Sequence, residues 1–297
     1  MTKQSRKITI IGGAIVTVLA LGAGAIYALI TVTSPINVEY IAQTPTTLQG
    51  FTGDDCASMQ LYTTMTLTDT RNSQNYRVRK MPDNHCWMID NMKLADVTLT
   101  PADSNVTSNY NLMAISSTHG TDDDTPYVDD PALNSPFKRN CTDGMMTDPD
   151  SLTGCGYLYS WSAATASTGD GISSGNATGS ICPSGWHLPR GSTAGEFMTG
   201  EFIVLNGSML TGVLSAALDG NTDAMRANWW ANGPFSGTYA GYFNGSVWSD
   251  QGYYGYWWSS DTASDTVAYF ARVSYDMLNS GNVGMHQHYG YAIRCLL

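Results

Sequence analysis

The chain has 297 residues, of which 42% are hydrophobic and 13% are charged, and its formal net charge is −11. This composition is too apolar for a disordered chain, and the length is sufficient for a sizeable core. The acidic balance argues against nucleic acid as a partner, because phosphate binding needs clusters of basic side chains and the sequence has none.

The N-terminal segment differs from the rest of the chain. Residues 8–32 carry no charge and follow Lys3, Arg6 and Lys7. A helix over this run would be roughly 37 Å long at ~1.5 Å per residue, which is enough to cross a bilayer. The basic residues predict a cytoplasmic N-terminus. We therefore predict a cytoplasmic tip and a single-pass membrane anchor over residues 1–33, with the C-terminal domain outside a prokaryotic cell. The alternative is a cleaved signal peptide, because residues 23–25 have the small-x-small form of a cleavage site.

The cysteines support export. All six cysteines of the chain follow the hydrophobic run: Cys56, Cys86, Cys141, Cys155, Cys182 and Cys295. An even number of cysteines in an exported domain favours disulfides, and the lack of any C-x-x-C pair argues against a thioredoxin-type or zinc site. Proximity along the chain predicts two local bridges, Cys56 to Cys86 and Cys141 to Cys155.

The predicted elements begin after a linker rich in proline and threonine at residues 34–50, so the globular domain covers residues 51–297. Alternating apolar residues predict strands over 61–67 and 76–80, joined as a hairpin, and a third strand over 86–89. Residues 96–150 are rich in Asp, Asn, Ser, Thr and Pro, which indicates a long insertion dominated by loops.

Helices are predicted over 157–166, from Ser192 or Thr193 toward Leu205, and over 208–218. Short aromatic strands follow over 239–243, 254–259, 267–274 and 289–297. This order of strands, helices and strands predicts an α+β domain whose antiparallel sheet contains both ends of the domain, with two or three short helices.

Three ordered stretches carry a family resemblance. They are residues 68–72 through 86–92, the run Cys-Pro-Ser-Gly-Trp-His-Leu-Pro at 182–189, and Gly-Tyr-Trp-Trp-Ser-Ser at 255–260 with the closing Tyr-Ala-Ile-Arg-Cys at 291–295. Over roughly residues 60–297 the sequence resembles the Fibrobacter succinogenes major paralogous domain, called FISUMP. The resemblance implies a C-type-lectin-like domain with a loop-rich ligand face. It also implies a bridge between Cys182 and Cys295.

Two known activities of related folds are not implied. The sequence lacks the acid-Pro-Asn or Gln-Pro-Asp loop and the Trp-Asn-Asp strand with which C-type lectins bind sugar through calcium. Formylglycine-generating enzymes need two neighbouring cysteines near the C-terminus, and only Cys295 lies there. The resemblance therefore indicates the fold better than the function.

Three further motifs are weak. Residues 171–175 match G-x-S-x-G, but polar residues surround Ser173 where a hydrolase nucleophile follows a buried strand. Asp219, Asn221 and Asp223 resemble the start of a calcium loop, but Ala224 and Trp230 occupy positions that need Gly and Glu. We therefore predict no cofactor, with calcium as the weak alternative, and no catalytic group.

The predicted ligand face comprises the loops and strand ends between residues 248 and 289, where tyrosine and small polar residues concentrate as in antibody paratopes. The candidate contacts are Tyr253, Tyr254, Tyr275, Asp276, Asn279, Asn282, His286 and His288. His286 and His288 lie two residues apart, as a metal pair would require, although no third ligand is evident.

The function predicted from the sequence is that of a membrane-anchored extracellular module that binds a protein or a glycan. A structural or adhesion-layer component is the second hypothesis. An enzyme distantly like formylglycine-generating enzymes is the third, because the sequence offers neither a nucleophile with its base nor a set of metal ligands.

Overall fold

A computed structural model describes residues 44–113, 137–138, 156–172, 175–191, 201, 235–244, 248–250, 252–274 and 278–297. The chain divides into two compact units, Met1–Thr44 and Pro45–Leu297. The hydrophobic run at residues 8–32 lies outside the described residues. Within the described parts of the chain no helix is long and apolar enough to span a membrane.

Antiparallel strands dominate the described residues. Two helices are present among them, α1 at Gly53–Ser58 and α2 at Trp161–Ala164. The strands are β1 Thr64–Thr68, β2 Asn75–Lys80, β3 Cys86–Met88, β4 Val97–Leu99, β5 Tyr110–Leu112, β6 Phe137–Lys138, β7 Tyr157–Leu158, β8 Gly175–Asn176, β9 Tyr242–Phe243, β10 Trp248–Ser249, β11 Gly255–Thr262, β12 Val267–Val273 and β13 Leu278–His286.

Two sheets form the framework. The first has the order β1-β2-β3, and it confirms the predicted hairpin and third strand. The second has the order β13-β12-β11-β8, and it contains the strands predicted over 254–259 and 267–274. Three two-stranded pairs, β4-β5, β6-β7 and β9-β10, complete the strand pairing. The described part of the insertion predicted over 96–150 therefore includes strands as well as loops.

The α+β prediction is wrong, because the regular secondary structure among the described residues is mostly antiparallel strand, with two very short helices. The helix expected over 157–166 shows the physical reason. The Ser160 side chain accepts a hydrogen bond from the Ala163 amide and so starts α2 late. Ala166 and Ser167 then take left-handed backbone angles that end it. The helices predicted from residue 192 and over 208–218 lie outside the described residues, apart from Glu201.

The C-terminal residues 291–297 connect the two sheets and are here called the closing segment. Against the first sheet, the Met88 amide donates to the Cys295 carbonyl at 2.9 Å. Against the second sheet, the Trp258 amide donates to the Ala292 carbonyl at 3.1 Å. The segment was predicted as part of a single strand, but it forms isolated bridges to several elements instead. It therefore ties one sheet to the other.

Side chains of the closing segment alternate between two hydrophobic clusters. Tyr291, Ile293 and Cys295 belong to the larger cluster, and Ala292 and Leu296 belong to the smaller one. All five side chains are almost completely buried. Such alternation is what an extended chain produces when both of its faces are covered.

Two disulfides confirm two of the three predicted bridges, Cys182–Cys295 and Cys56–Cys86. The Cys182–Cys295 bridge joins residues 113 apart in sequence and anchors the closing segment. In the chain-entropy description, a loop of about this length contributes on the order of 4 kcal/mol to stability. The third predicted bridge, Cys141 to Cys155, lies outside the described residues.

Arg294 is completely buried in the closing segment. Its guanidinium donates hydrogen bonds to the Asn91 side chain at 2.7 Å, to the Ser236 carbonyl at 2.8 Å and to the Phe235 carbonyl. It also lies over the rings of Phe235 and Trp257, at 4.3 and 5.1 Å from their centroids. Burial lowers the pKa of Arg294, but these oxygens and ring faces compensate its charge.

We predict that Arg294→Met lowers the free energy of unfolding by about 3 kcal/mol or more. Methionine fills a similar volume but removes the buried donor to the Phe235 and Ser236 carbonyls. It also removes one of the two donors to the Asn91 amide oxygen, which keeps its hydrogen bond from the Trp257 indole. Chemical denaturation monitored by tryptophan fluorescence measures the change. Arg79→Met, at a partly exposed arginine of β2, is the control and should cost less than about 1 kcal/mol. Equal losses in the two variants would show that Arg294 holds no special place in the fold.

Candidate functional site

One surface of the domain collects the side chains that suit ligand contact. We call it the Tyr–His face, and it comprises Tyr242, Tyr253, Tyr254, Arg272, His286, His288 and Tyr289. Tyr253 and His286 are exposed, and the other five side chains are partly exposed. The face is built from β9, the turn before β11, one residue of β12, and the end of β13 with the turn that follows it.

Backbone pairing brings the separate parts of the face together. The Phe243 amide and the Gly290 carbonyl pair at 3.1 Å, and the reverse bond measures 2.7 Å. This pairing sets Tyr242 beside Tyr289, whose rings stack with centroids 5.6 Å apart and planes at 11°. Tyr289 in turn meets His288 edge to face at 4.8 Å. A continuous series of ring contacts thus runs from Tyr242 through Tyr289 and His288 to His286.

Buried rings support the face from below. Tyr256 meets Tyr242 at 5.1 Å and Tyr291 at 4.9 Å between ring centroids. Tyr291 then contacts Trp258 at 4.3 Å. Tyr256, Tyr291 and Trp258 are all almost fully buried. The exposed rings therefore rest on the hydrophobic core, which restricts their motion.

The turn before β11 is fixed by hydrogen bonds around Asp250. The amides of Tyr253 and Tyr254 both donate to the Asp250 carbonyl at 3.0 Å. The hydroxyl of Tyr256 donates to the Asp250 carboxylate at 2.5 Å. Burial, followed by the hydrogen bond to Asp250, raises the pKa of Tyr256. Tyr256 therefore acts here as a neutral donor that holds the carboxylate, and the turn presents Tyr253 outward with 59% of its surface exposed.

Arg272 supplies the positive charge of the face. It lies in β12 opposite Asn279 and Tyr256, and its guanidinium is 5.3 Å from the centroid of the Tyr254 ring. A guanidinium over a tyrosine ring is held by electrostatic attraction to the ring face. The Tyr–His face therefore offers aromatic surface together with a planar cation that can form several hydrogen bonds.

The two histidines occupy the other end of the face. Their rings stack with centroids 5.4 Å apart and planes at 24°. Burial, and then the charge of His286, lower the pKa of His288 to about 4. His288 is consequently neutral at physiological pH.

Four of the eight predicted contacts lie on this face: Tyr253, Tyr254, His286 and His288. The backbones of Asn279 and Asn282 lie in β13, and their side chains are outside the described part of the structure. Tyr275 and Asp276 are also outside the described residues. Whether any of these residues contacts a ligand stays a prediction.

Sequence reasoning missed Tyr242, Tyr289 and Arg272. Tyr289 directly follows the two predicted histidines, and Arg272 is the one charged residue within Val267–Val273. A basic residue inside an otherwise apolar strand was the available signal for Arg272. Tyr242 offered no local signal, because its place depends on the pairing of β9 with Gly290.

A cavity separate from the Tyr–His face lies near β8 and the segment 187–190. Its volume is about 220 Å³, and its lining includes Asn105, Asn176, His187, Arg190 and Ser260. Nearby, the Asp261 carboxylate is buried without a hydrogen-bond partner of its own, and burial raises its pKa to about 7. No tyrosine, tryptophan or phenylalanine side chain lines the cavity, so it offers a ligand less aromatic contact surface than the Tyr–His face.

The remaining sequence motifs form no catalytic or metal-binding group among the residues that the structure describes. His187 pairs with Glu201 at 2.9 Å, as suits a structural residue. Among the residues that the structure describes, no group of three metal-binding side chains occurs. Ser173 and the calcium-like residues 219–223 lie outside the described residues.

The comparison with known proteins concerns the part of the chain that carries this face. The sequence model of the Fibrobacter succinogenes major domain matches residues 83–296. The chain belongs to this family. The match confirms the resemblance found in the sequence and extends from the start of β3 through the closing segment, with both Cys182 and Cys295 inside it. No curated protein and no solved structure matches the chain.

We predict that His288 titrates with a midpoint near pH 4, well below the ordinary value of 6.5. Because the pKa of His288 is lower in the folded state, its imidazole in the unfolded chain is protonated first as the pH falls. Stability should therefore fall as the pH is lowered from about 6.5 to about 4. Carbon-bound proton resonances of the imidazole in an NMR titration report the midpoint.

His288→Asn is the matched variant for this prediction. It should reduce the loss of stability between pH 6.5 and pH 4, whereas His286→Asn, at the exposed histidine, should leave most of that loss in place. A His288 midpoint at or above pH 6 would show that the ring is more solvated than its position implies.

Proposed function

We propose that this member of the Fibrobacter succinogenes major domain family is an exported binding module, which contacts an extracellular protein or glycan through the Tyr–His face. The observation that carries the proposal is the group of partly exposed tyrosine rings on this face, in which Tyr242 stacks on Tyr289 and Tyr254 lies against Arg272. Single exposed aromatic residues are common on protein surfaces, but a contiguous group rimmed by polar side chains marks an interaction surface.

The chemistry of the face suits recognition. Tyrosine gives a large contact area with only two side-chain torsions to restrict, and its hydroxyl can form hydrogen bonds. Tyrosine and arginine are also enriched among the residues that dominate binding energies at protein interfaces. The same rings can pack against the apolar face of a sugar, while Arg272 and the carboxylate of Asp250 meet its hydroxyl groups.

Contacts within the Tyr–His face also hold its side chains and backbone in place before a ligand binds. Tyr254 packs against Arg272, and Tyr242 rests on Tyr256 and Tyr289. The backbone of the turn at residues 250–254 is held by hydrogen bonds to Asp250 and Tyr239. A preorganised surface loses less conformational entropy when it binds, so more of the contact energy appears as affinity.

The disulfides support a place outside the cytoplasm. Cys56–Cys86 and Cys182–Cys295 close loops between residues 30 and 113 apart in sequence, respectively. Such bridges persist in oxidising compartments and are rare in reducing ones. We therefore place the domain at the cell exterior, where proteins and glycans of other cells are accessible to it.

A screen of the purified protein against a glycan array and against surface proteins of neighbouring cells would identify the ligand. For a ligand found in this way, we predict that Tyr253→Ala and Tyr254→Ala each weaken binding by at least about 1 kcal/mol. Tyr62→Ala is the matched control, because Tyr62 is 45% exposed but lies beside the first sheet, next to β1. The Tyr62→Ala variant should bind the ligand with the same affinity as the native protein.

Thermal unfolding of each variant separates lost contact from lost stability, and Tyr253→Ala is the cleaner variant because its ring is the more exposed. Unchanged affinity in both variants would exclude the Tyr–His face as the binding surface. Self-assembly into a layer, with no saturable ligand, would instead favour a structural surface component.

A further inference from the structure

The two histidines of the Tyr–His face share one side of a short stretch of chain. His286 ends β13, and His288 lies in the turn that follows. Their rings stack with centroids 5.4 Å apart, and His286 is exposed to solvent. An open pair of imidazoles has a recognised chemistry, because imidazole nitrogen is a common ligand of zinc and copper.

The backbone at this pair is held in place on both sides. The Gln287 amide donates to the Thr266 carbonyl at 3.0 Å, and the Gln287 carbonyl accepts from the Trp161 amide at 2.8 Å. The Tyr289 amide donates to the His286 carbonyl at 3.1 Å, which closes the turn. The spacing of the two histidines is therefore fixed before any ligand arrives.

Gln287 lies between the two histidines in sequence, and its side chain is hydrogen-bonded to other residues. Its side-chain amide donates to the Thr262 hydroxyl at 3.0 Å and to the Ser264 carbonyl at 3.2 Å. Thr262 ends β11, and Ser264 lies in the connection from β11 to β12. The residue between the two imidazoles is thus fixed to the sheet. Only the ring torsions of His286 and His288 need to change for both nitrogens to meet at one ion.

We infer that His286 and His288 form an open two-imidazole site for a divalent transition-metal ion such as Cu²⁺ or Zn²⁺. Metal–nitrogen bonds of about 2.0 Å require the two donor nitrogens to lie within about 4 Å of each other, which rotation of the stacked rings can supply. Copper should bind more tightly than zinc, because imidazole sites follow the general order of divalent affinities.

Two protein ligands leave most of the coordination sphere open. No third metal-binding side chain completes the set within the described residues. Water or a donor atom of a bound molecule would fill the remaining positions, as in sites where a metal keeps exchangeable ligands. The site lies on the same surface as the proposed ligand face, but the inference stands without that proposal, because metal binding is measured with no partner present.

The test is a Cu²⁺ titration of the purified full-length chain at neutral pH, followed by calorimetry and by electron paramagnetic resonance. We expect one class of site whose spectrum reports two equatorial nitrogen ligands. His286→Ala and His288→Ala should each weaken this site at least tenfold and reduce the nitrogen count. His85→Ala, at a partly exposed histidine that lies beside Asp83, is the matched control and should leave the site unchanged.

The inference is overturned if the double variant His286→Ala/His288→Ala binds Cu²⁺ with the affinity and nitrogen count of the native protein. It is also overturned if the native protein shows no two-nitrogen site. His286→Ala decides the matter if substitution of the more buried His288 disturbs folding, because His286 is exposed. Zn²⁺ in the same titration should displace Cu²⁺ only when present in excess.

Discussion

The closing segment has to satisfy two sheets at once, and the rest of the domain depends on that constraint. Its backbone pairs with β3 on one side and with β11 on the other, while its side chains enter two hydrophobic clusters. Arg294 could not occupy this position as an uncompensated charge, because burial of an isolated cation is very unfavourable. Asn91, the carbonyls of Phe235 and Ser236, and two aromatic ring faces compensate the charge.

The closing segment also holds the side chains of the Tyr–His face in place. Tyr291 of the closing segment lies under Tyr242 and Tyr256, and Gly290 just before it pairs with Phe243. The surface that we propose for binding therefore rests directly on the buried core of the domain. This separates it from the small cavity near Arg190, which lacks aromatic support. A surface of this kind tolerates changes in its outermost side chains, because the framework beneath does not rely on them.

Local patterns predicted the strands, and long-range contacts decided what the patterns could not. Alternation of apolar residues predicted β1 and β2, and aromatic-rich runs predicted β11 and β12, because one or both faces of each strand are buried. The α+β prediction failed because hydroxyl side chains and left-handed backbone angles shorten α2. The role of Arg294 could not be predicted, because one of its acceptors lies 59 residues away in sequence. Four of the seven residues of the Tyr–His face were predicted from composition, and the missed Tyr242 depends on the pairing of β9 with Gly290.

Native-state hydrogen exchange tests most directly whether the closing segment unites the two sheets. The Met88 amide reports the first sheet, and the Trp258 amide reports the second, since both donate to the closing segment. If the segment holds the sheets as one cooperative unit, both amides should exchange only through global unfolding, with equal opening free energies. Opening of one amide at a free energy lower than that of the other by about 2 kcal/mol or more would show that the sheets open independently, and would contradict this account.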